Sequence, residues 1–363
     1  MHDSFVSVVV PTYKRPDLLE RCLRAILAQD YPRSAYEIIV VDDAADAETR
    51  KLVEAISSKN EAYIIWPVEV SASVPQKHSK SARDHALVES MPGELVRLNP
   101  GPSLRYIAIH GEHGPAVARN AGWQAAQGQI IAFTDDDTVP SPGWLTAGVG
   151  AFDENTAGVS GKIVMPIPIL PTDYEKDAAG LERSEFVTAN CFYRRAALEA
   201  AGGFDPRFKV AWREDTDLFF KMLEKGFSLK HASEAIVVHP IRQAKWGISL
   251  KQQKKSMYNA LLYKKHPMLY RERVQPKPPY FYYACVATFS IAAVALGLGL
   301  VNFGAVALSV WAGLTLSFVT LRLRGTVRNR SHVLEMVVTS ALIPFLSVFW
   351  RLYGALIYRV WFL

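Results

Sequence analysis

Ile130-Ile131-Ala132-Phe133-Thr134-Asp135-Asp136-Asp137 is an apolar run that ends in three consecutive carboxylates. A short apolar run of this kind reads as a buried strand. Side chains alternate along an extended chain, so Asp135 and Asp137 are expected to point one way and Asp136 the other. Two carboxylates on one side would offer a hard divalent cation, Mg²⁺ or Mn²⁺, two oxygen ligands, with phosphate completing the shell. Taken alone, the triplet reads equally well as a solvated acidic turn closing the strand. The rest of the chain tips the balance.

Upstream, Val6–Val10 is an apolar run broken only by Ser7 and ended by Pro11, as expected of a buried parallel strand. Leu18, Leu19, Cys22, Leu23, Ile26 and Leu27 then recur at helical spacing, with Asp17 placed to cap the start. Glu37–Val41 reads as a second strand ending in Asp42-Asp43, Leu104–Ile109 as a third and Ile130–Thr134 as a fourth, with a helix from about Pro115 to Gln127 between the last two. This is a βαβ pattern, so the fold class is α/β with a parallel sheet. Ligands of such sheets bind beyond the carboxyl ends of the strands, which here carry Pro11-Thr12-Tyr13, Asp42-Asp43 and Asp135–Asp137. The turn after the first strand lacks the glycines of a dinucleotide fingerprint, so binding falls to side chains and metal. The stretch from Ser71 to Arg83 reads as an inserted surface loop. Farther on, Glu214-Asp215 opens a helix whose apolar face is Leu218, Phe219, Met222 and Leu223 and which Gly226 closes; from this segment alone Asp215 reads as an N-cap and Glu214 as a first-turn acid.

The chain has 363 residues, half of them apolar, and a net charge of +6. That suits one sizeable domain with an addition, and the addition is C-terminal. From Tyr280 to Leu321 no residue is charged, a length that suits two bilayer crossings, Tyr280–Val301 and Gly304–Leu323, turning at Asn302-Phe303-Gly304. Lys264, Lys265, Arg271, Arg273 and Lys277 precede the pair, and Arg322, Arg324, Arg328 and Arg330 follow it. Both flanks are basic, which places both, and the large N-terminal domain, on the cytoplasmic side of a plasma or inner membrane. The basic residues cluster beside the apolar segments, so no nucleic-acid partner is read from the charge. The tail from His332 to Leu363, interrupted by Pro344 and bearing Arg351 and Arg359, is expected to lie at the membrane interface, a third crossing being the competing reading. No secretory leader is read at the start. Cys22, Cys191 and Cys285 have no metal-ligand spacing and read as packing residues in a reducing compartment.

Taken together, the segments resemble the inverting family-2 glycosyltransferases. The carriers are Val8-Val9-Val10-Pro11-Thr12-Tyr13, Ile38-Ile39-Val40-Val41-Asp42-Asp43, Ala118-Arg119-Asn120-Ala121-Gly122, Phe133-Thr134-Asp135-Asp136-Asp137, and Gly203-Phe204-Asp205 followed by Glu214-Asp215. The resemblance implies a GT-A type, Rossmann-like domain over residues 1–267, followed by a basic linker (268–279), a transmembrane hairpin (280–323) and a C-terminal basic loop and helix (324–363). It implies a nucleotide-sugar donor held by Pro11, Thr12, Tyr13, Arg15, Asp42, Asp43, Arg119, Asp135 and Asp136, a divalent cation held by Asp135 and Asp137 with His239 as a further ligand, and Asp215 as catalytic base. Asn190, Glu214 and Trp246 fall where acceptor or sugar would be met. Processive members carry a QxxRW motif, whereas Gln243-Ala244-Lys245-Trp246 lacks the arginine and is one residue short. That departure points to transfer of one sugar, or a few, to a lipid-linked or other glycan acceptor at the membrane. The competing functions are a tethered nucleotide-sugar-binding protein without turnover and a metal-dependent nucleotidyltransferase.

Overall fold

The computed structural model describes residues 4–59, 87–91, 94–97 and 101–362. The loop expected over Ser71–Arg83 lies outside them.

Strand β1 (Val6–Thr12) lies inside the sheet, with every residue but Pro11 buried and its four valines supplying the apolar core. Helix α1 (Pro16–Leu27) follows, then β2 (Tyr36–Asp42), buried along its whole length, and α2 (Ala47–Lys59). Strands β3 (Leu87–Met91) and β4 (Glu94–Arg97) form a separate antiparallel pair. The main sheet resumes with β5 (Ser103–Ala108), α3 (Pro115–Ala125) and β6 (Ile130–Phe133). After β7 (Val139–Pro140), α4 (Trp144–Gly150) and β8 (Thr156–Val164), the chain forms α5 (Asp173–Ala178), β9 (Cys191–Arg194), α6 (Arg195–Ala201), α7 (Glu214–Glu224) and β10 (Ser228–Val238).

The sheet has eight strands in the order β5-β2-β1-β6-β9-β8-β10-β7. Strand β1 is parallel to both β2 and β6, and β2 is parallel to β5. The sheet is mixed beyond that, since β9 runs antiparallel to both β6 and β8, and β7 antiparallel to β10. Helix α1 begins with Pro16, so Asp17 falls inside the first turn and Arg15 takes the cap position without a side-chain cap bond. Its Leu19, Cys22, Leu23 and Ile26 join Val8, Val10, Ile38 and Val40 in the core. Helix α3 lies on the sheet at closer range: a Cβ on Gly122 would meet Val9 Cγ1 at 2.3 Å and Val41 Cγ2 at 3.0 Å.

By contacts the chain divides into two units, Met1–Val164 with Glu182–Pro240, and Met165–Leu181 with Ile241–Leu363. The first holds the mixed eight-stranded sheet and the helices packed on it. The second contains α5, the short helices α8 (Ile248–Gln252), α9 (Tyr258–Lys265) and α10 (Pro267–Arg273), and the long α11 (Tyr280–Gly297), α12 (Val301–Leu323) and α13 (Arg330–Ile357). The last three are long and apolar enough to cross a membrane. The turn between α11 and α12 is Leu298-Gly299-Leu300, with Gly299 at φ +78°, and not the expected Asn302-Phe303-Gly304. Gly304 is instead a packing glycine inside α12, where a Cβ would meet Leu296 Cγ at 2.6 Å.

The packing of α3 gives the first prediction. Gly122→Ala inserts a methyl into space held by Val9 and Val41, and the expected cost is about 1–3 kcal/mol. Thermal unfolding of the purified protein checks it: an unchanged melting temperature would show that α3 can move away freely.

Candidate active site

The parallel register sets the floor of the site, since Thr12 ends β1 opposite Asp42 of β2. The aspartate triplet follows β6 in a turn, closed where the Thr138 backbone N–H and Oγ1 both donate to the Asp135 carbonyl, at 3.2 and 2.7 Å. The expected extended strand is therefore replaced by a turn, and the three carboxylates meet different partners. Thr12 Oγ1 donates to Asp136 Oδ2 at 2.7 Å, and Arg15 Nε lies 3.3 Å from the same oxygen. Arg15 Nη1 is also 3.7 Å from Asp137 Oδ2. Lys14, with φ +51°, bends the chain between the half-exposed Tyr13 and this Arg15. A left-handed conformation is uncommon for a residue with a Cβ and marks a locally constrained turn.

Asp137 faces His239, which follows β10 and is held there by its backbone N–H bond to the Val164 carbonyl. His239 Nε2 is 3.6 Å from Asp137 Oδ1. Asp135, Asp137 and His239 each bring one potential ligand atom, all within 4.8 Å of one another. The buried Nδ1 of His239 has no hydrogen-bond partner among the described residues. Two carboxylates and an imidazole are a donor set that Mn²⁺ or a similar divalent cation accepts.

Arg119 of α3 joins this cluster to α7. It is 3% exposed; Nη2 donates to Asp135 Oδ1 at 2.9 Å and Nη1 to Glu214 Oε1 at 2.8 Å. Burial alone would raise the Asp135 pKa, but Arg119, with His239 and Arg15 farther off, outweighs burial and holds it below the ordinary carboxylate value. Burial pushes Asp136 up to about 6, against the pull of Arg15 and the Thr12 hydroxyl. Glu214 is raised by burial and by the neighbouring Asp215 charge, and Asp215 is raised by burial. Asp215 is not an N-cap: α7 starts at Glu214, and Arg213, at φ +78°, precedes it with no side-chain cap bond. The Asp215 carboxylate is partly exposed and accepts from Thr216 N–H at 2.6 Å.

Four expected ligand contacts are committed elsewhere. Asp42 is fully buried; its Oδ1 accepts from Ala44 N–H at 2.9 Å and its Oδ2 from Asp46 N–H and the Tyr106 hydroxyl at 2.7 and 2.8 Å, so it shapes the loop after β2. Asn190 is 1% exposed, donating to the Lys162 and Ala235 carbonyls and accepting from Trp144 Nε1, which makes it a bolt between β8, β10 and α4. Glu214 is 2% exposed and its Oε1 serves Arg119. Arg119 itself acts through Asp135 and Glu214. Asp43 stays partly exposed and accepts from the Gly114 N–H that precedes α3, at 3.0 Å. Pro11 is half-buried beside Thr12, and Trp246 lies in the other unit, half exposed. The Arg119 bridge had no local signal, because its partners stand 16 and 95 positions away.

A mixed α/β sheet with acids and a histidine at strand ends and an arginine from the adjoining helix is the arrangement expected of a GT-A type glycosyltransferase, and the comparisons with known proteins agree. The profile of glycosyl transferase family 2 matches residues 7–70 and 94–202. The chain belongs to that family. Glycosyltransferase AglE of Haloferax volcanii is 26% identical over 259 residues, 69% of this chain and 70% of that one. Pre-mycofactocin glycosyltransferase of Mycobacterium tuberculosis is 30% identical over 152 residues, 37% of this chain and only 32% of the longer relative. Among solved structures, the mannosyltransferase PcManGT from Pyrobaculum calidifontis, in complex with GDP-Man and Mn²⁺, superposes with a TM-score of 0.58 at 18% identity, covering 96% of this chain and 87% of that one. The likeness is one of fold.

Removing Arg119 should leave the buried Glu214 and the partly exposed Asp135 without their shared counter-charge. Arg119→Met is expected to cost about 3–5 kcal/mol, and Arg119→Met combined with Glu214→Gln to recover part of the loss, because the stranded acid is then neutral. Thermal unfolding of the single and double variants decides; a double variant no more stable than Arg119→Met would argue against the bridge.

Proposed function

We propose that the protein is an inverting, metal-dependent glycosyltransferase that moves one sugar from a nucleotide-sugar to a lipid-linked acceptor at the membrane. The observation that carries the reading is the Asp135–Arg119–Glu214 bridge, which ties a cation-binding cluster to the start of the helix that bears Asp215. A binding protein without turnover has no need of a raised carboxylate beside such a cluster.

The donor's diphosphate needs positive charge and hydrogen-bond donors. Arg15 would supply a guanidinium to the diphosphate, and Pro11, Tyr13 and Asp43 would meet the base and ribose. Asp135, Asp137 and His239 would hold a divalent cation, which when bound stabilises the negative charge developing on the leaving nucleoside diphosphate. Asp215 accepts the proton of the acceptor hydroxyl as that oxygen bonds to the anomeric carbon. The bond between that carbon and the phosphate oxygen breaks on the opposite face, giving an inverted glycoside and a nucleoside diphosphate without a covalent enzyme intermediate. Burial strengthens Asp215 as a base, since it raises the pKa above the ordinary carboxylate value of 3.8.

The acceptor class rests on the apolar helices and their basic flanks, which support a catalytic domain on the cytoplasmic side. The departure at Gln243–Trp246 supports release after a single transfer. PcManGT was solved with GDP-Man and Mn²⁺, which makes that pair the first probe.

Four outcomes test the reading. Purified protein in detergent should melt higher with one nucleoside diphosphate or its sugar derivative, and only when Mn²⁺ is present. Asp137→Ala should remove that shift; a normal shift would dismiss the cation site. Asp215→Asn should lower transfer about 10²–10⁴-fold while keeping the shift, and near-normal turnover would remove Asp215 from the role. A base must be deprotonated to act, so kcat/KM of the unsubstituted enzyme should fall as pH drops through a value above 3.8; a rate constant down to that pH would contradict a raised carboxylate base.

A further inference from the structure

Composition makes α13 a candidate third crossing, yet its neighbours fix both of its ends to the same segment. At its start, Trp246 Nε1 donates to the Ser331 carbonyl at 3.4 Å and Gly247 N–H to Glu335 Oε1 at 2.7 Å. At its far end, Lys264 Nζ donates to the Tyr358 carbonyl at 2.8 Å, and Arg351 Nη1 donates to Gln275 Oε1 at 3.0 Å. Just beyond the helix, the Phe362 ring lies 5.0 Å from Tyr263 and 5.3 Å from Tyr270. Between these points a Cβ on Gly354 would meet the Met257 carbonyl at 2.4 Å. The whole helix is thus flanked by residues 246–275, which carry Lys251, Lys254, Lys255, Lys264 and Lys265 and precede the first apolar span.

So basic a segment cannot enter hydrocarbon and stays on one side of the bilayer. A crossing helix would carry its last turn through about 30 Å of hydrocarbon, away from that segment. The contact with α12 agrees. Only residues 324–329 separate the two helices, so in a crossing pair the end of α12 would face the first turn of α13. Arg322 instead donates to Thr339 Oγ1 at 2.7 Å and Ser340 Oγ at 3.1 Å, about 15 Å along the helix axis. At the middle of α13, beside Pro344, the Phe345 ring lies 5.2 Å from Phe289 of α11.

The surface left open has the chemistry of a lipid contact. Leu334, Val337, Leu342, Phe349, Leu352 and Leu356 are exposed along one face, opposite the buried Met336, Ile343 and Gly354. Trp361, 84% exposed, follows the helix, and indole rings favour the headgroup level. Lys251, Lys254 and Lys264 are exposed beside it, and cationic side chains there complement an anionic leaflet. We infer that α13 does not cross the membrane: with the 246–275 segment it forms an amphipathic platform docked on a single leaflet, leaving the C-terminus on the catalytic side. The inference rests on the membrane reading above, in which α11 and α12 form a spanning hairpin.

Single-cysteine labelling in sealed membranes tests it. Trp361→Cys, Arg328→Cys and Leu298→Cys would be exposed to a membrane-impermeant maleimide before and after permeabilisation, with the unsubstituted protein, whose Cys22, Cys191 and Cys285 are buried, as background. Trp361→Cys and Arg328→Cys should label from one side and Leu298→Cys from the other. Labelling of Trp361→Cys together with Leu298→Cys would overturn the inference and make α13 a third span. If Leu298→Cys labelled with Arg328→Cys, the hairpin itself would fall, and the docked platform with it.

Discussion

The guanidinium of Arg119 is the constraint on which the site depends. Asp135, Asp136, Asp137, Glu214 and Asp215 stand close together, and without a buried counter-charge their mutual repulsion and lost hydration would drive protons onto them. Arg119 reaches two of them from α3, and it can do so only because Gly122, one turn on, lets that helix settle against Val9 and Val41. Backbone packing and active-site electrostatics are therefore one arrangement. The bridge also spaces the charges: it keeps Asp135 ionised, as a cation ligand must be, while Asp215 retains the higher pKa that suits a base.

Much of this was legible in the residues. The strands β1, β2 and β6 announced themselves because a strand buried on both faces must be a nearly unbroken apolar run. In the triplet Asp135–Asp137 the expected division holds, with Asp135 and Asp137 meeting at His239 and Asp136 turned to Thr12, but it arises in a turn and not in an extended strand, since the hydrogen bonds that bend it come from Thr138, a residue with no turn signature of its own. Asp42 and Asp43 look alike in sequence. Their roles separate only in three dimensions, where Tyr106 claims the first and the second stays partly exposed at the start of α3. Asn190 likewise found its partners at Trp144, Lys162 and Ala235, none a sequence neighbour. The antiparallel β9 inside an otherwise mostly parallel sheet was not visible either, because strand direction is set by the path of the connection and not by the composition of the strand.

In the second unit the apolar stretches and the basic residues could be read from the sequence, but not where the chain turns or which groups pair. Arg322 was counted in the basic collar after the second span. It is instead buried against Asp173, its Nη2 2.7 Å from Asp173 Oδ2, and Ser249, Thr339 and Ser340 take further guanidinium donors. A cation so enclosed keeps its charge by being fully paired, which turns a topogenic signal into an internal fastening. Arg351 is enclosed too but less completely paired: the Phe362 ring lies over its guanidinium and Gln275 accepts from Nη1, while Nη2 has no hydrogen-bond partner among the described residues.

The partner of Arg322 lies on a detour. Asp173 belongs to Met165–Leu181, which leaves the catalytic domain after β8, joins the helical unit, and returns before β9. The backbone is fastened there as well, Val327 N–H donating to the Pro171 carbonyl at 3.0 Å. Two polypeptide crossings therefore link the units before the chain passes into the second for good. No single cut separates them: a version of the enzyme ended ahead of α11 would still carry the detour, with Asp173 stripped of its arginine. Gene fusion or exchange of the C-terminal helices between relatives would meet the same obstacle, so the two units are expected to have changed together and not as interchangeable parts.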